Sequence, residues 1–496
     1  MERKNVSMNK KAVVIGAGLG GLSAAISLQH RGFQVTVIEK NFHSGGKLHE
    51  VHLGSAGFDF GPNTITMPHV FNNVLKQTGR KPEDYFEFIP LPRHTTNSFE
   101  DGSSFTFSSD KEDMKQELHA LDPASADKYE AYQKEVEKLF RLADKHFLKR
   151  TFRSWKDFIS LPLAKGLLSS RPLETMDSFH RKFFKDERII SAFNRYATYI
   201  GSSPFNSPAT FGLIGHLELS DGVYYTKGGN FRIADGLKRA AAESGVEFIY
   251  GEEVVSLTVQ NGTISEAVTN KDKAVPGDVF LLNGDLLSQY PRLVASEHRP
   301  SFSDKKAASA DPSVSAYVLM AASNKRHPLN HHHVFFSRNP KKEFEDIFNK
   351  GEYSSDPTVY ICTSSKTEPS RSPDGDNFFI LVNAPPLSDG AGTHQFSKEI
   401  IFEKLRRFGL DLSASITESV EVSPAVIEKR FNAYRGALYG LSSNKKKNTF
   451  LRPYNKAADL HNLYFSGGST HPGGGSPMVT LSGQNVAELI IKHHLN

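Results

Sequence analysis

Residues 12–46 read AVVIGAGLGGLSAAISLQHRGFQVTVIEKNFHSGG. Ala12–Ile15 is a short apolar run suited to a buried parallel strand. Gly16, Gly18 and Gly21 follow at G-x-G-x-x-G spacing. The first glycine permits a tight turn. The second has no side chain, so a pyrophosphate can approach the backbone. The third lets the following helix pack against the strand. The helix start offers unpaired N–H groups and a positive dipole end to phosphates. Val35–Ile38 reads as the next strand, and Glu39 stands where a carboxylate accepts hydrogen bonds from ribose hydroxyls. The whole unit of strand, turn, helix, strand and acid predicts a dinucleotide site. Gly45, Gly46 and Lys47 add a second glycine turn just after the acid, which a simple NAD site does not need.

Working outward, the other informative segment is the tail, LYFSGGSTHPGGGSPMVTLSGQNVAELIIKHHLN. Leu463–Ser466 reads as a strand and Gly467–Gly475 as a glycine-rich loop. Pro477 suits the first position of a helix, with Ser476 as its cap. The chain is therefore expected to close with a second helix N-terminus aimed at a ligand. Two such starts, far apart in sequence, suit the two ends of one long ligand.

Between them the chain divides by pattern. The boundaries expected are 1–100 for a first part of the cofactor domain and 101–225 for a helical lid, membrane-contact and substrate region. Next come 226–300 for a second cofactor part, 301–440 for a substrate-domain sheet and 441–496 for the third cofactor part. FDFGPNTITMP at 58–68 reads as a strand and turn. KGGNFRIADGLKRAAAESGVEFIY at 227–250 reads as a glycine pair, an amphipathic helix and a strand. A hairpin with Asn261-Gly262 at its turn follows. DVFLLNGD at 278–285 then reads as a buried strand. Strands at 316–322, 359–363 and 378–383 and a helix near 396–408 suit a sheet under a substrate cavity. NKKKN at 444–448 reads as a loop. The fold class is α/β, Rossmann-like and discontinuous, with a mixed sheet beside it.

The 496 residues exceed one core, and two or three domains are expected. A single cysteine, Cys362, excludes an internal disulfide and fits a reducing compartment. No apolar run is long enough to cross a bilayer, and the basic N-terminus lacks the apolar core of a signal peptide. Lys145, Lys149, Arg150, Arg153, Lys156, Lys165 and Arg171 interleave with Phe147, Phe152, Trp155 and several leucines. That pattern suits an anionic membrane surface or a solvated basic face. No nucleic-acid module accompanies it.

These residues together resemble the carotenoid desaturase and oxidase family of flavoproteins over nearly the whole chain. The resemblance rests on the opening motif with Gly45–Lys47, FDFGPNTITMP, YIGSSPFNSPATF at 199–211, YTKGGN at 225–230 and the GGSTHPGGGSPMVTLSGQ tail. It implies FAD, a hydrophobic polyene substrate, and attachment to the inner face of the cell membrane without a spanning helix. It implies cofactor contacts from Gly16, Gly18, Gly20, Gly21, Leu22, Glu39, Lys40, Gly45, Gly46, Lys47, Val254, Gly468, Ser469, Pro477 and Met478. Two activities fall within the family. One oxidises a terminal methyl of a thirty-carbon polyene to an aldehyde with O2. YRGALYGLSSNKKKN at 434–448, HHHVFFS at 331–337 and GGGSPMVTLSGQ at 473–484 resemble that group. The other introduces double bonds by hydride transfer to FAD, and Ser469–Pro472 matches it. An amine oxidase or protoporphyrinogen oxidase on the same scaffold, or a polyene-binding protein, are the rival classes.

Of the side chains with chemistry, His471 is the candidate acid–base group, with ordering of its loop as the competing role. Tyr439 and Tyr464 read as packing. His331, His332 and His333 look like ligands. Successive strand residues point to opposite faces, however, and no cysteine or carboxylate is expected beside them. A polar loop or strand end is expected there, with no metal. Cys362 is expected to be buried and inert.

Overall fold

Five parallel strands stand at the centre of the cofactor half in the order 463–466, 279–283, 11–15, 34–39, 247–250. In this computed structural model residues 10–152, 166, 169–388 and 396–495 are described. Strand Lys11–Ile15 runs through the middle, and helix Leu19–His30 carries the chain across to Gln34–Glu39. Buried parallel strands should be continuously apolar, and Ala12, Val13, Val14 and Ile15 are all buried. The strand order reverses on either side of Lys11–Ile15, so the carboxyl ends there open into a crevice, the usual ligand position in such sheets.

The C-terminal helix, Ser476–His494, lies against Leu19–His30. Their approach is close enough that a Cβ on Gly483 would sit 2.0 Å from the Gly20 carbonyl oxygen. Ser23 Oγ also donates to the Thr480 carbonyl at 3.1 Å. Contact this tight between the two ends of the chain brings both helix starts to one crevice.

A seven-stranded sheet forms the second layer, in the order 416–422, 315–323, 377–384, 359–362, 332–335, 93–98, 104–108. Strands Arg93–Ser98 and Ser104–Ser108 pair with each other, so residue 100 falls within their hairpin turn. One face of this sheet carries Val318, Met320, Phe379 and Cys362 and turns toward Phe58 and Phe60. The other packs on helix Lys398–Arg407. A smaller antiparallel sheet holds Val254–Gln260, Thr263–Thr269 and Ala274–Pro276. At its turn Asn261 and Gly262 both have positive φ, 49° and 72°, the geometry of a tight two-residue hairpin.

Helices Lys111–Leu121, Pro123–Ala143, Met176–His180, Glu187–Asn194 and Leu213–Leu219 cover the far end of the large sheet. Their core is aromatic, with Tyr129, Tyr132, Phe179, Phe184, Phe193 and Tyr196 fully buried. Most of the basic and aromatic stretch expected at 145–171 lies outside the described residues. No helix among the described residues is long and apolar enough to cross a membrane. The expected loop at 444–448 overlaps a short helix, Lys446–Phe450.

Candidate active site

The crevice at the strand ends is floored by backbone. Gly16 has φ +101°, and a Cβ there would stand 2.4 Å from the Asn283 carbonyl oxygen. A Cβ on Gly21 would come within 2.1 Å of the Gly16 oxygen. These two glycines are enforced by the fold itself. Gly18 differs, because an added Cβ would meet only the end of the Asn283 side chain, at 3.1 Å, and Gly18 lines the crevice. The second glycine turn lies directly opposite. Gly18 and Gly45 form a parallel bridge, and a Cβ on Gly46 would reach the Gly18 Cα at 3.4 Å. Neither Leu19–His30 nor Ser476–His494 has a side-chain cap. Their first N–H groups are left for a ligand.

Glu39 sits at the adjacent wall. Its Oε2 accepts from the Ala17 N–H at 2.8 Å, and its Oε1 accepts from the Asn41 backbone and side chain at 2.9 and 2.8 Å. A carboxylate offers about four acceptor positions, so one remains for a ligand hydroxyl. Lys40 donates to Lys429 O at 3.0 Å and to Asn432 Oδ1 at 2.9 Å. Lys47 donates to Ala437 O and Leu438 O at 3.1 and 2.8 Å. Burial pushes the Lys47 amine down to about 8, opposed by the nearby Asp285. Gly20, Val254, Gly468 and Ser469 complete the set of expected residues that line the crevice.

Gly21, Leu22, Pro477 and Met478 do not line it among the described residues. Gly21 and Leu22 face the sheet and the helix contact, and Met478 packs toward Met67 and Leu481. Ser476 is not the helix cap. The helix begins at Ser476 itself, and Gly475 is the capping residue at φ 112°, a conformation glycine adopts without strain. His471 stands outside the crevice. Its Nε2 donates to Phe147 O at 2.8 Å, its ring meets Phe152 edge-on, and burial drives its pKa down to about 4. Its carbonyl accepts from Asn455 Nδ2 and Ser482 Oγ, both at 2.9 Å. Every one of these contacts holds the loop in place.

The sequence reading missed residues on the third and fourth sides. Asn283 Nδ2 donates to Gly16 O at 3.1 Å and its Oδ1 accepts from Ser466, which ties three parallel strands together at their ends. Asp285 caps helix Leu286–Leu293 and accepts from Ser469 Oγ at 2.6 Å. The Asn283–Asp285 run was visible as a strand end, but its pairing across the crevice was not. Phe60, Val318, Phe379, Leu381 and Leu438 form an apolar wall, and Tyr439, read as packing, lines it too.

That wall continues along the large sheet. Tyr360 pairs with Leu381, and Cys362 with both Phe379 and His332. The expectation that no cysteine lies near the histidines is therefore corrected. Cys362 is the cross-strand partner of His332, a proximity that strand pairing creates and linear order hides. His332 opens the interior strand His332–Phe335, so of the two expected settings, polar loop or strand end, the second holds. His331 precedes it, so the side chains of His331, His332 and Cys362 approach, with their donor atoms within 4.8 Å of one another. Burial pulls the His331 imidazole down to about 3 and the His332 imidazole well below its ordinary value, and pushes the Cys362 thiol up. All three are neutral in the fold.

A crevice built by two glycine turns, two uncapped helix starts and one carboxylate with an acceptor position to spare fits a long dinucleotide, and its apolar wall fits a large hydrophobic reactant. The chain belongs to the flavin-containing amine oxidoreductase family, whose model matches residues 19–491. It is an FAD-dependent oxidoreductase with the two-domain FAD fold, and within the family it belongs with the carotenoid desaturases and oxygenases. It is 33% identical to a 4,4'-diapolycopene oxygenase of Methylomonas sp., over 98% of this chain and 99% of the relative. It is 35% identical to a 1-hydroxycarotenoid 3,4-desaturase of Flavobacterium sp. (strain P99-3), over 97% and 99%. Among solved structures it resembles putrescine oxidase bound to putrescine, at TM-score 0.64 and 13% identity over 98% of this chain and 99% of that one.

Proposed function

We propose that the chain oxidises the terminal methyl group of a thirty-carbon polyene, 4,4'-diaponeurosporene or diapolycopene, to an aldehyde. The observation that carries the reading is the apolar wall of Phe60, Val318, Phe379 and Leu381 running out of the dinucleotide crevice. It supports a hydrocarbon held beside the reactive end of the cofactor. The full-length similarity to a diapolycopene oxygenase supports the chemistry. Overall, a methyl group and one O2 give an aldehyde and one water, so atoms and electrons balance with O2 as oxidant.

Bound FAD supplies the two-electron redox chemistry. The chain's own residues do the rest. Gly16, Gly18, Gly45 and Gly46 admit the diphosphate and Glu39 takes a ribose hydroxyl. The Ser476–His494 helix start stabilises negative charge that develops near it. Lys47, whose amine burial lowers to about 8, donates to the Leu438 carbonyl and adds positive charge on the same side. Phe379 and Leu381 exclude water from the reacting carbon.

A second reading is desaturation by hydride transfer to FAD, favoured by the similarity to the hydroxycarotenoid desaturase. Expression in a bacterium that makes 4,4'-diaponeurosporene, and separately in one that makes 4,4'-diapophytoene, decides between them. Aldehydes from the first host alone support the proposal, and new double bonds from the second overturn it. A polyene must come from a bilayer, and Leu173, just beyond the basic stretch, is 76% exposed. These support membrane attachment at that surface, which flotation with anionic vesicles tests. Failure to float removes it.

A further inference from the structure

Three consecutive histidines share no face of a strand, and the fold separates one of the three from the others. His333 Nε2 pairs with the Ser98 hydroxyl at 2.8 Å, and its ring stacks on Phe335. His332 turns the other way, toward Tyr360. His331 precedes the first residue of the strand and is free of its alternation. Its ring meets that of His332 with centroids 4.5 Å apart. Cys362 joins them as the cross-strand partner of His332, and a donor atom from each of the three lies within 4.8 Å of the others. All three residues are buried.

Both rings are oriented from behind. His331 Nδ1 meets the Thr367 hydroxyl at 2.5 Å, and His332 Nδ1 meets the Tyr360 hydroxyl at 2.8 Å. Tyr360 is bonded in turn to Thr64, Thr64 to Tyr199, and Tyr199 to Glu218. The ring of His332 is thereby anchored in the helical cover. The other nitrogen of each ring, Nε2, is buried without a hydrogen-bond partner. Such an atom has given up water and gained nothing in return. An imidazole whose Nδ1 is held by an oxygen presents a lone pair at Nε2, the usual arrangement of a histidine that binds a metal. Neutral imidazole is also the form that ligates.

The donor set selects the ion. Nitrogen and sulfur donors do not suit magnesium or calcium, which take oxygen. Thiolate and imidazole suit zinc(II) and copper(I). Zinc almost always takes four ligands, and among the described residues no further imidazole, thiol or carboxylate joins these three. Charge points the same way. Copper(I), one thiolate and two neutral imidazoles sum to zero, whereas zinc(II) leaves a full positive charge, which is costly to bury. The surroundings do not offset that charge. Arg195 acts on His332, and Asp59, which acts on Cys362, has Arg371 beside it. We infer that His331, His332 and Cys362 bind a single copper(I) ion through the free nitrogen of each ring and the thiolate, with the thiol proton passing to solvent. The ion joins residues 331 and 332 to strand Val359–Cys362. It lies one strand away from Phe379, which lines the crevice.

The FAD-loaded full chain is offered copper(I) as its bathocuproine disulfonate complex without oxygen. Transfer is read from the chelate colour lost above the flavin background. Uptake of one copper per chain is expected, with the thermal midpoint raised by about 5 °C or more. Cys362→Ser and His332→Gln are expected to weaken binding at least 100-fold, whereas His333→Gln, on the opposite face, keeps it. No uptake by the wild type, either from the chelate or during expression in copper-supplemented cells, overturns the site. Uptake that survives Cys362→Ser places the copper elsewhere and overturns it too. Zinc(II) bound as tightly as copper(I) overturns the choice of ion. If a variant fails to fold, X-ray absorption by copper in the loaded wild type decides. One sulfur and two imidazole neighbours support the site, and copper without a sulfur neighbour overturns it. No readout involves a polyene or turnover, so either outcome leaves the proposed function standing.

Discussion

The cofactor crevice and the wall of the large sheet are built on opposite principles. The crevice is made of backbone. Its glycines, helix starts and one carboxylate come from continuous motifs, and the tight approaches there, such as Gly21 on the Gly16 oxygen and Gly483 on the Gly20 oxygen, have no side chain to yield. The wall is made of side chains from separate segments, each set by the strand or helix that carries it. A backbone site tolerates no added atom, whereas a side-chain site can be tuned one group at a time. The first therefore suits a ligand shared by a whole family, and the second a reactant that differs between relatives.

Four substitutions test that contrast. The largest effect is expected from Gly21→Val, whose Cβ would overlap a main-chain oxygen at 2.1 Å. It should cost about 4 kcal/mol or more and leave little folded protein, read by soluble yield and thermal midpoint. A stable Gly21→Val protein would break the idea of an unyielding backbone. Gly18→Val comes next. Its Cβ would meet only the movable end of the Asn283 side chain, at 3.1 Å, at the crevice lining, so the chain should fold but lose FAD by roughly 100-fold or more, read from flavin absorbance per protein. Full FAD retention would refute the role given to Gly18.

Smaller effects belong to side chains. Burial holds His471 at about 4, below its ordinary 6.5. A histidine kept neutral by the fold contributes stability above its unfolded pKa, and that stability is lost as pH falls from about 6.5 toward 4. Denaturant unfolding should show about 1 kcal/mol lost through this residue between about pH 7 and 5.5. His471→Gln should remove that part of the slope and leave any pH dependence of turnover near neutrality in place. A turnover profile that loses a limb near neutrality in His471→Gln would instead return His471 to the chemistry. Tyr360→Phe should be the mildest. It gives up the hydrogen bond to His332 for about 1 kcal/mol of stability. FAD retention should match the wild type, and a flavin loss would show that the two regions are not separable.

Legibility in the sequence followed the same division. The strand at 11–15, the turn at Gly16–Gly21, Glu39, the Asn261-Gly262 hairpin and the strand at 463–466 were readable because each is fixed by neighbours in the chain. Ser476 was misread as a cap, because the choice between Gly475 and Ser476 depends on where the loop must turn. His331, His332 and Cys362 were read singly, since the register that sets His332 across from Cys362 joins residues far apart in sequence. Lys47 was expected at the cofactor, but its bonds to Ala437 and Leu438 could be seen only once the chain had folded.

The amino-acid sequence by itself determined the dinucleotide crevice, because φ preference, helix dipoles and strand burial are local properties that repeat wherever the same residues do. Only the tertiary structure decided the buried meeting of Thr64, Arg195, Tyr199, Glu218 and Tyr360. Nothing local brings a turn, two helices and a strand together; packing between the large sheet and its helical cover does. That packing encloses the Arg195 Nε and the Glu218 Oε2 away from water.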